Sequence, residues 1–596
     1  MDSHNQRNLI LAVLLTGLVL FGWDAGIRYF YPQTTQPTAV ASAPANSAGN
    51  PAPGESVKHT RDGGLTSAAD VALEAKDLKA ALATGGRVAI AASGLSGSIN
   101  LTGGVIDDLT TNRHTATEKK SDGPARVFSP AGTPAQQFAQ FGWVAESTGG
   151  IALPNAATLW TAPAAAKLTP ETPVTLNWTN PTGQIFSIRY AIDKDYLIIA
   201  TQSVSNSGTA PVVVRPFALI NRTDKTASLD TWNVHAGPFG AFDGAVNFGI
   251  DYDDVSESGE IKNVGKVNWI GFTDIYWMSA LVPDAAPASS DFRALGRGVY
   301  RADLVYEPAT IAPGQQLTRT TRLFAGAKES TVLDRYEDSG IVHFGLAIDW
   351  GWFRWFEKPI FWLLKALFDL AGNFGVAIIL LTVIVRGVMF PIAQRQFASM
   401  AQMRAIQPKM KALQERYKDD KPKLQQETMA LYKTEGVNPL AGCLPIFLQI
   451  PVFFALYKVL MLSIEMRHQP FILWIKDLSA PDPLHILNLF GLLPFTPPSF
   501  LAIGLLAVLL GITMYLQFKL NPAPMDPVQQ QVFAIMPWMM MFVMAPFAAG
   551  LLIYWITSNI LTIGQQWFLY SKHPQLKAQA EKEGADTKRA AARSKV

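Results

Sequence analysis

The stretch "LLTVIVRGVMFPIAQ", residues 380–394, sets Arg386 inside an apolar run from Phe374 to Ile392. A guanidinium stays charged at any biological pH, and holding it at helix depth in lipid costs at least a few kcal/mol. The run is long enough to cross a bilayer, so the fold turns on what Arg386 faces. Thr382 and Arg386 stand four apart and share one helix face. Gln449 and Phe453 repeat that spacing in a second apolar segment, and Thr513 and Gln517 in a third. A last segment stacks Tyr554, Ser558, Thr562 and Gln565/Gln566 on one stripe, with Asn559 beside it. Lipid offers such groups no partners. Four polar stripes and one charge therefore converge on a wet cavity, where isolated interhelical glue would need only single contacts.

Composition agrees with a membrane protein carrying a soluble part. Of 596 residues, 49% are hydrophobic and only 16% charged, against about a quarter charged in soluble domains. A net charge of +3 argues against sequence-specific nucleic-acid binding. Cys443 is the single cysteine, which excludes an intrachain disulfide, and the eight histidines form no metal-ligand motif. No Walker loop or GxSxG elbow occurs, and no metal or cofactor is expected.

"QRNLILAVLLTGLVLFGW" at the N-terminus has Arg7 before an apolar run from Leu9 to Trp23; the first small-x-small site, Ala41-Ser-Ala43, lies well beyond it. Residues 1–32 are read as an uncleaved signal anchor and 33–67, rich in Pro, Ala and Ser, as a flexible linker. From there to 345 the segments "FSIRYAI", "YLIIATQSVSN" and "PVVVRPFALI" alternate with period two between turn residues, predicting an all-β antiparallel sandwich domain over 68–345. The acidic run "DYDDVSESGE" lacks calcium-loop spacing and is read as a solvated loop. Residues 346–372 predict a helix lying in the membrane interface, with Arg354, Glu357, Lys358, Lys365 and Asp369 on one arc of about 120°.

Five spans follow, near 373–392, 442–463, 499–519, 531–546 and 549–569. The fifth of the six, "VFAIMPWMMMFVMAP", is short and methionine-rich, suited to varied apolar partners. The connection 393–438 is strongly basic and predicts a helical hairpin, with Met403, Ile406, Met410, Leu413 and Tyr417 on one stripe. The tail 571–596 is basic too, whereas 464–498 carries only Arg467 and Lys476 as cations. The positive-inside bias therefore puts both termini and the hairpin in the cytoplasm, and the β-domain and 464–498 outside. A channel or transporter is a second reading of the cavity, opposed by the lack of intramembrane carboxylates. A sugar-acting enzyme built on the sandwich is a third, supported by fold analogy alone.

With those residues assembled, the chain resembles the YidC/Oxa/Alb family of membrane-protein insertases, in its Gram-negative form with a large periplasmic domain. The resemblance runs nearly end to end, through "VIVRGVMFP", "LQERYKDDK", "ALYKTEGVNPLAGCLPIFLQIPVFFALY" and "LIYWITSNILTIGQQ". It implies a periplasmic β-supersandwich and six transmembrane helices, five of which (373–570) form an α-helical insertase core in the bacterial inner membrane. It implies no covalent chemistry and no cofactor. The family's groove arginine falls on Arg386, with Thr382 and Gln449 at other groove positions. Its apolar slide for the substrate helix falls on Phe453, Tyr554 and Trp555, and Trp555 stands where well-known members have tyrosine. The partners implied are nascent membrane proteins, membrane lipids, the Sec translocon, and the ribosome through the hairpin and tail.

Overall fold

The computed structural model describes residues 59–145, 151–230, 234–417, 420–436, 444–490, 492–493, 495, 502–520 and 527–572. The expected N-terminal anchor, most of the expected linker, Cys443 and nearly all of the basic tail lie outside them.

The period-two segments form two sheets, of 11 and 8 strands, with every pairing between named strands antiparallel except Arg87–Ala91 with Lys167–Leu168. Strand Gln184–Ile192 shows why they stack. Gln184, Phe186, Ile188, Tyr190 and Ile192 are buried while the residues between them are more exposed, so one face joins the core and the other meets water. Helix α1 (Ala68–Ala83) precedes the sandwich, capped by the Ser67 side chain. The acidic run is not a loop. It forms helix α2 (Tyr252–Ser258), because Asp251 accepts from the Asp254 amide and the Asp254 side chain accepts from the Asp251 amide, a reciprocal cap.

Helix α3 (Ser330–Asp338) leads from the last strand to α4 (Arg354–Ala371). On α4 the buried stripe is Ile360, Phe361, Leu364 and Leu367, while Trp355 and Trp362 are exposed. Glu357 departs from the expected charged arc: at three and four residues before Ile360 and Phe361 it shares their inner face and is fully buried. Then come α5 (Phe374–Ala405), the hairpin helices α6 (Gln407–Arg416) and α7 (Lys421–Thr434), α8 (Leu444–Leu462), α9 (Leu505–Leu520), α10 (Pro527–Met544) and α11 (Ala549–Lys572). In the hairpin Ile406 and Met410 are buried, and Thr428 donates to the Met410 sulfur at 3.6 Å, joining α6 to α7.

Among the described residues only Phe374–Gln394 is by itself long and apolar enough to cross a membrane; Gln449–Leu462, Leu505–Leu520 and Gln531–Met544 are apolar but shorter. α11 packs on α5, α8 and α9. Gly550 marks one crossing: a Cβ there would lie 2.9 Å from Leu460 Cδ2 and 3.1 Å from Ile378 Cδ1. A small residue lets the helices approach closely, as apolar bundles without a solvent driving force require.

The end of the expected linker is docked, not free. Arg61 donates to the carbonyl of Leu460 at 2.8 Å and also binds the Ser479 carbonyl and the Tyr276 hydroxyl, joining sandwich to helices. Arg467 complements it, donating to the carbonyls of Thr115 and Ala116 at 2.9 and 3.0 Å and pairing with Asp62 at 3.3 Å. Arg61 and Arg467 both lie against the Tyr276 ring, 5.5 and 5.7 Å from its centroid.

Candidate functional site

The polar residues of α5, α8 and α11 meet. Arg386, half-buried, donates from Nε to Ser558 Oγ at 3.0 Å and from Nη2 to the same oxygen and to Gln449 Oε1, the latter at 3.3 Å. Gln449 Nε2 in turn donates to Ser558 Oγ at 3.1 Å. Three helices are therefore tied through one fully buried hydroxyl. The described hydrogen-bond partners of the guanidinium are both neutral, and among the described residues no ion pair includes Arg386. Charge-assisted bonds to neutral acceptors hold the group in place without cancelling its field.

A second link joins α9 to α11, where buried Asn559 donates to Thr513 Oγ1 at 3.2 Å. Ser558 and Asn559 are consecutive, so α11 serves both links from adjacent positions. Gln517 lies one turn beyond Thr513 on α9 and is half-buried. Thr382 and Thr562 sit on the expected stripes but donate to carbonyls of their own helices, Ile378 and Ser558, at 2.7 Å each. Their hydroxyls are satisfied locally and contribute polarity, not a cross-link.

The three slide residues separate into two environments. Phe453 and Trp555 are partly buried and meet edge to face at 5.2 Å between centroids. Tyr554 is 2% exposed and turns into the bundle, within hydrogen-bonding reach of Gln449. One position along α11 rotates the side chain by about 100°, so adjacent aromatics face different surroundings. On α10, Val532, Ile535, Trp538, Met539, Phe542 and Val543 form an exposed apolar stripe at helical spacing.

The family model for the 60Kd inner membrane protein matches residues 366–577, and that for the YidC periplasmic domain matches 87–363. Over 577 residues the chain is 44% identical to the membrane protein insertase YidC of Zymomonas mobilis, with 96% of each chain covered. The chain belongs to the YidC family. Its YidC relatives include those of Bradyrhizobium diazoefficiens, 41% identical with 96% of each chain covered, and of a Ruegeria species, 45% identical with 80% of this chain and 82% of the relative covered. As in other YidC-family members, the β-sandwich is a periplasmic domain and the helical C-terminal region belongs to the inner membrane.

The chain also carries buried charges, of which sequence reasoning passed over Lys458 and Lys328. Lys458 interrupts the apolar run "VFFALYKVLML" of α8, is 5% exposed, and donates to the Asp349 carbonyl at 3.1 Å. Glu357 on α4 lies within its electrostatic reach, and burial pushes that carboxyl up to about 7 against the opposing pull of Lys458. Buried Lys328, at the end of the last strand, donates to Thr273 Oγ1 at 3.1 Å. Desolvation holds its amine down at about 8. A lysine inside an apolar aromatic run was the available signal. Its surroundings, from the sandwich and from α4, were not.

Proposed function

We propose that the chain inserts and folds other membrane proteins in the bacterial inner membrane, by physical guidance and without covalent chemistry. Six membrane spans, with both termini and the α6–α7 hairpin in the cytoplasm and the sandwich in the periplasm, satisfy the charge bias of the connections. The apolar helices α8, α9 and α10 then cross as members of a bundle, their ends held by neighbours.

The observation that carries this reading is Arg386, a fixed cation within an apolar helix whose described partners, Ser558 and Gln449, are neutral. A polar, acidic segment of a substrate entering the groove lined by Arg386, Thr382, Gln449, Thr513, Gln517, Ser558, Asn559 and Thr562 meets hydrogen-bonding groups and one positive charge. Both lower its desolvation cost. The substrate's apolar helix passes along Phe453 and Trp555 into lipid, driven by burial of about 20 apolar residues. Tyr554 supports the groove from inside. The hairpin and the basic tail receive substrate from the ribosome, and the same core works alone or beside the Sec translocon.

A photoreactive residue placed at Phe453 or Trp555 tests this. Crosslinks to a ribosome-bound nascent membrane protein are expected, and none to a nascent soluble protein. Absence of the former, together with solute flux through reconstituted protein, would establish a transporter instead.

A further inference from the structure

The connection between α8 and α9 is built inside out. Ile486, Leu487, Leu489, Phe490, Leu492 and Leu493 are exposed, Leu492 at 81%, while the polar Asn488 and Asp482 of the same loop are 8% and 1% exposed. In water the hydrophobic effect drives the opposite arrangement. In lipid the polar groups must turn inward and each backbone amide must find a partner within the protein. Four amides of this non-helical segment meet that second demand locally. Leu489 N–H donates to Ile486 O at 3.0 Å, Phe490 to His485 O at 2.9 Å, Leu492 to Leu489 O at 3.3 Å and Leu493 to Asn488 O at 3.0 Å. Leu489 and Phe490 adopt left-handed φ of 49° and 61°, uncommon for such side chains, and so turn the chain tightly enough to make these bonds.

The same segment closes helix ends. Asp482 accepts from the Leu506 amide at 2.8 Å and from Trp474 Nε1 and the Leu484 amide at 3.0 Å each, so the start of α9 is capped from inside the protein. Gly504 permits this, since a Cβ there would lie 2.6 Å from Asp482 Cβ. Ala480 and Leu478 carbonyls accept from the first amides of α11, Ala549 and Gly550, at 2.8 and 2.9 Å. Helix starts at a wet surface can leave these amides to water; these starts do not.

Helix length points the same way. In the six-span topology proposed above, exposed Lys519 marks the cytoplasmic end of α9, and Leu505 lies fourteen residues before it. At 1.5 Å per residue that is about 21 Å, short of a hydrocarbon core of about 30 Å. The start of α9 and the loop attached to it therefore lie below the outer surface of the hydrocarbon.

We propose that residues 484–490 with 492–493 form a wedge seated in the outer leaflet of the bilayer, with the phospholipid acyl chains as its partner. The wedge continues the apolar surface of α9 outward and keeps that short helix at its depth.

The test is an environment-sensitive fluorophore on Leu492→Cys in a Cys443→Ser background, in nanodiscs of phosphatidylethanolamine and phosphatidylglycerol, with Val264→Cys on the sandwich as reference. Val264 is 89% exposed, and both substituted side chains are too exposed to serve the fold. Relative to the reference, the Leu492 site is expected to show blue-shifted emission, at least threefold stronger quenching by acyl-chain-brominated lipid, and at least threefold weaker quenching by iodide. Iodide quenching equal to the reference overturns the proposal, as does shielding from both quenchers, which would mean a protein occupant. Nanodiscs expose both faces, so the result reads depth alone, and an error in the six-span topology would not mimic failure.

Discussion

Replacing Arg386 by alanine separates its charge from its structural role. The guanidinium donates to Ser558 and Gln449, but those two also bond each other at 3.1 Å, so the bundle keeps a polar link without it. A substrate carboxylate at the membrane midplane costs about 2.5–3.5 kcal/mol. A cation about 4 Å away at an effective dielectric near 20 returns about 4 kcal/mol. Arg386 is therefore sufficient to offset one acidic residue, and its loss should slow insertion of such a substrate by roughly 70- to 400-fold. A matched substrate with Asn and Gln in place of Asp and Glu should slow by less than about threefold. Arg386→Lys keeps the charge but loses the planar fork, and should fall within about tenfold of the native protein. The assay is protease protection of the translocated segment in reconstituted vesicles, with both substrates at equal protein loading. Equal slowing of the acidic and neutral substrates, or a lysine variant as slow as alanine, would remove the charge from the mechanism and leave Arg386 a structural anchor.

Glu357→Gln should raise the thermal midpoint at pH 8 and leave it unchanged at pH 4: the folded carboxyl titrates near 7 against an ordinary value of 4.5, so the folded state retains a proton that the unfolded chain releases. Stability therefore falls as pH rises through that window, by about 3 kcal/mol in all, and glutamine removes the fall. Gly550→Val should destabilise the bundle by about 1–3 kcal/mol through overpacking, whereas Gly387→Val, whose Cβ meets nothing within 4 Å, should not; thermal unfolding in detergent compares them. Arg467→Ala removes two carbonyl contacts and the Asp62 pair, and should weaken the joint between sandwich and helices by about 3 kcal/mol, read as faster hydrogen exchange at Thr115 and Ala116.

How far the sequence reaches follows from the range of the interactions. The strands were legible because burial alternation is local: Phe186, Ile188 and Tyr190 declare a face by their own spacing. The polar stripes were legible for the same reason, since Thr382 and Arg386 share a face whatever packs against them. Which stripe meets which was not. Arg386 and Ser558 are 172 residues apart, and nothing local distinguishes Ser558, which joins three helices, from Thr562, which bonds its own helix one turn later. Adjacent aromatics carry the same ambiguity, and only the rotation of α11 buries Tyr554 and leaves Trp555 partly exposed beside Phe453.

Loop 464–498 marks the other limit, because charge counting assigns a side of the membrane but not a depth. Its scarcity of Lys and Arg places it outside by the positive-inside bias, yet "HILNLFGLL" is as apolar as the spans. The depth lies in the pairing of Asp482 with the start of α9 and in the inward turn of Asn488, both set by tertiary structure. Arg386 and Asp482 thus pose one physical problem at two levels of the bundle. A charge below the membrane surface is tolerable when the protein itself supplies its hydrogen bonds. Asp482 spends its acceptors on the Leu506 and Leu484 amides and Trp474, which makes it a fixed structural cap. Arg386 has neutral side chains as its described partners, so its charge is still there for a carboxylate to answer. That difference in partner chemistry is the physical reason to place structure at the outer end of the bundle and function at its centre.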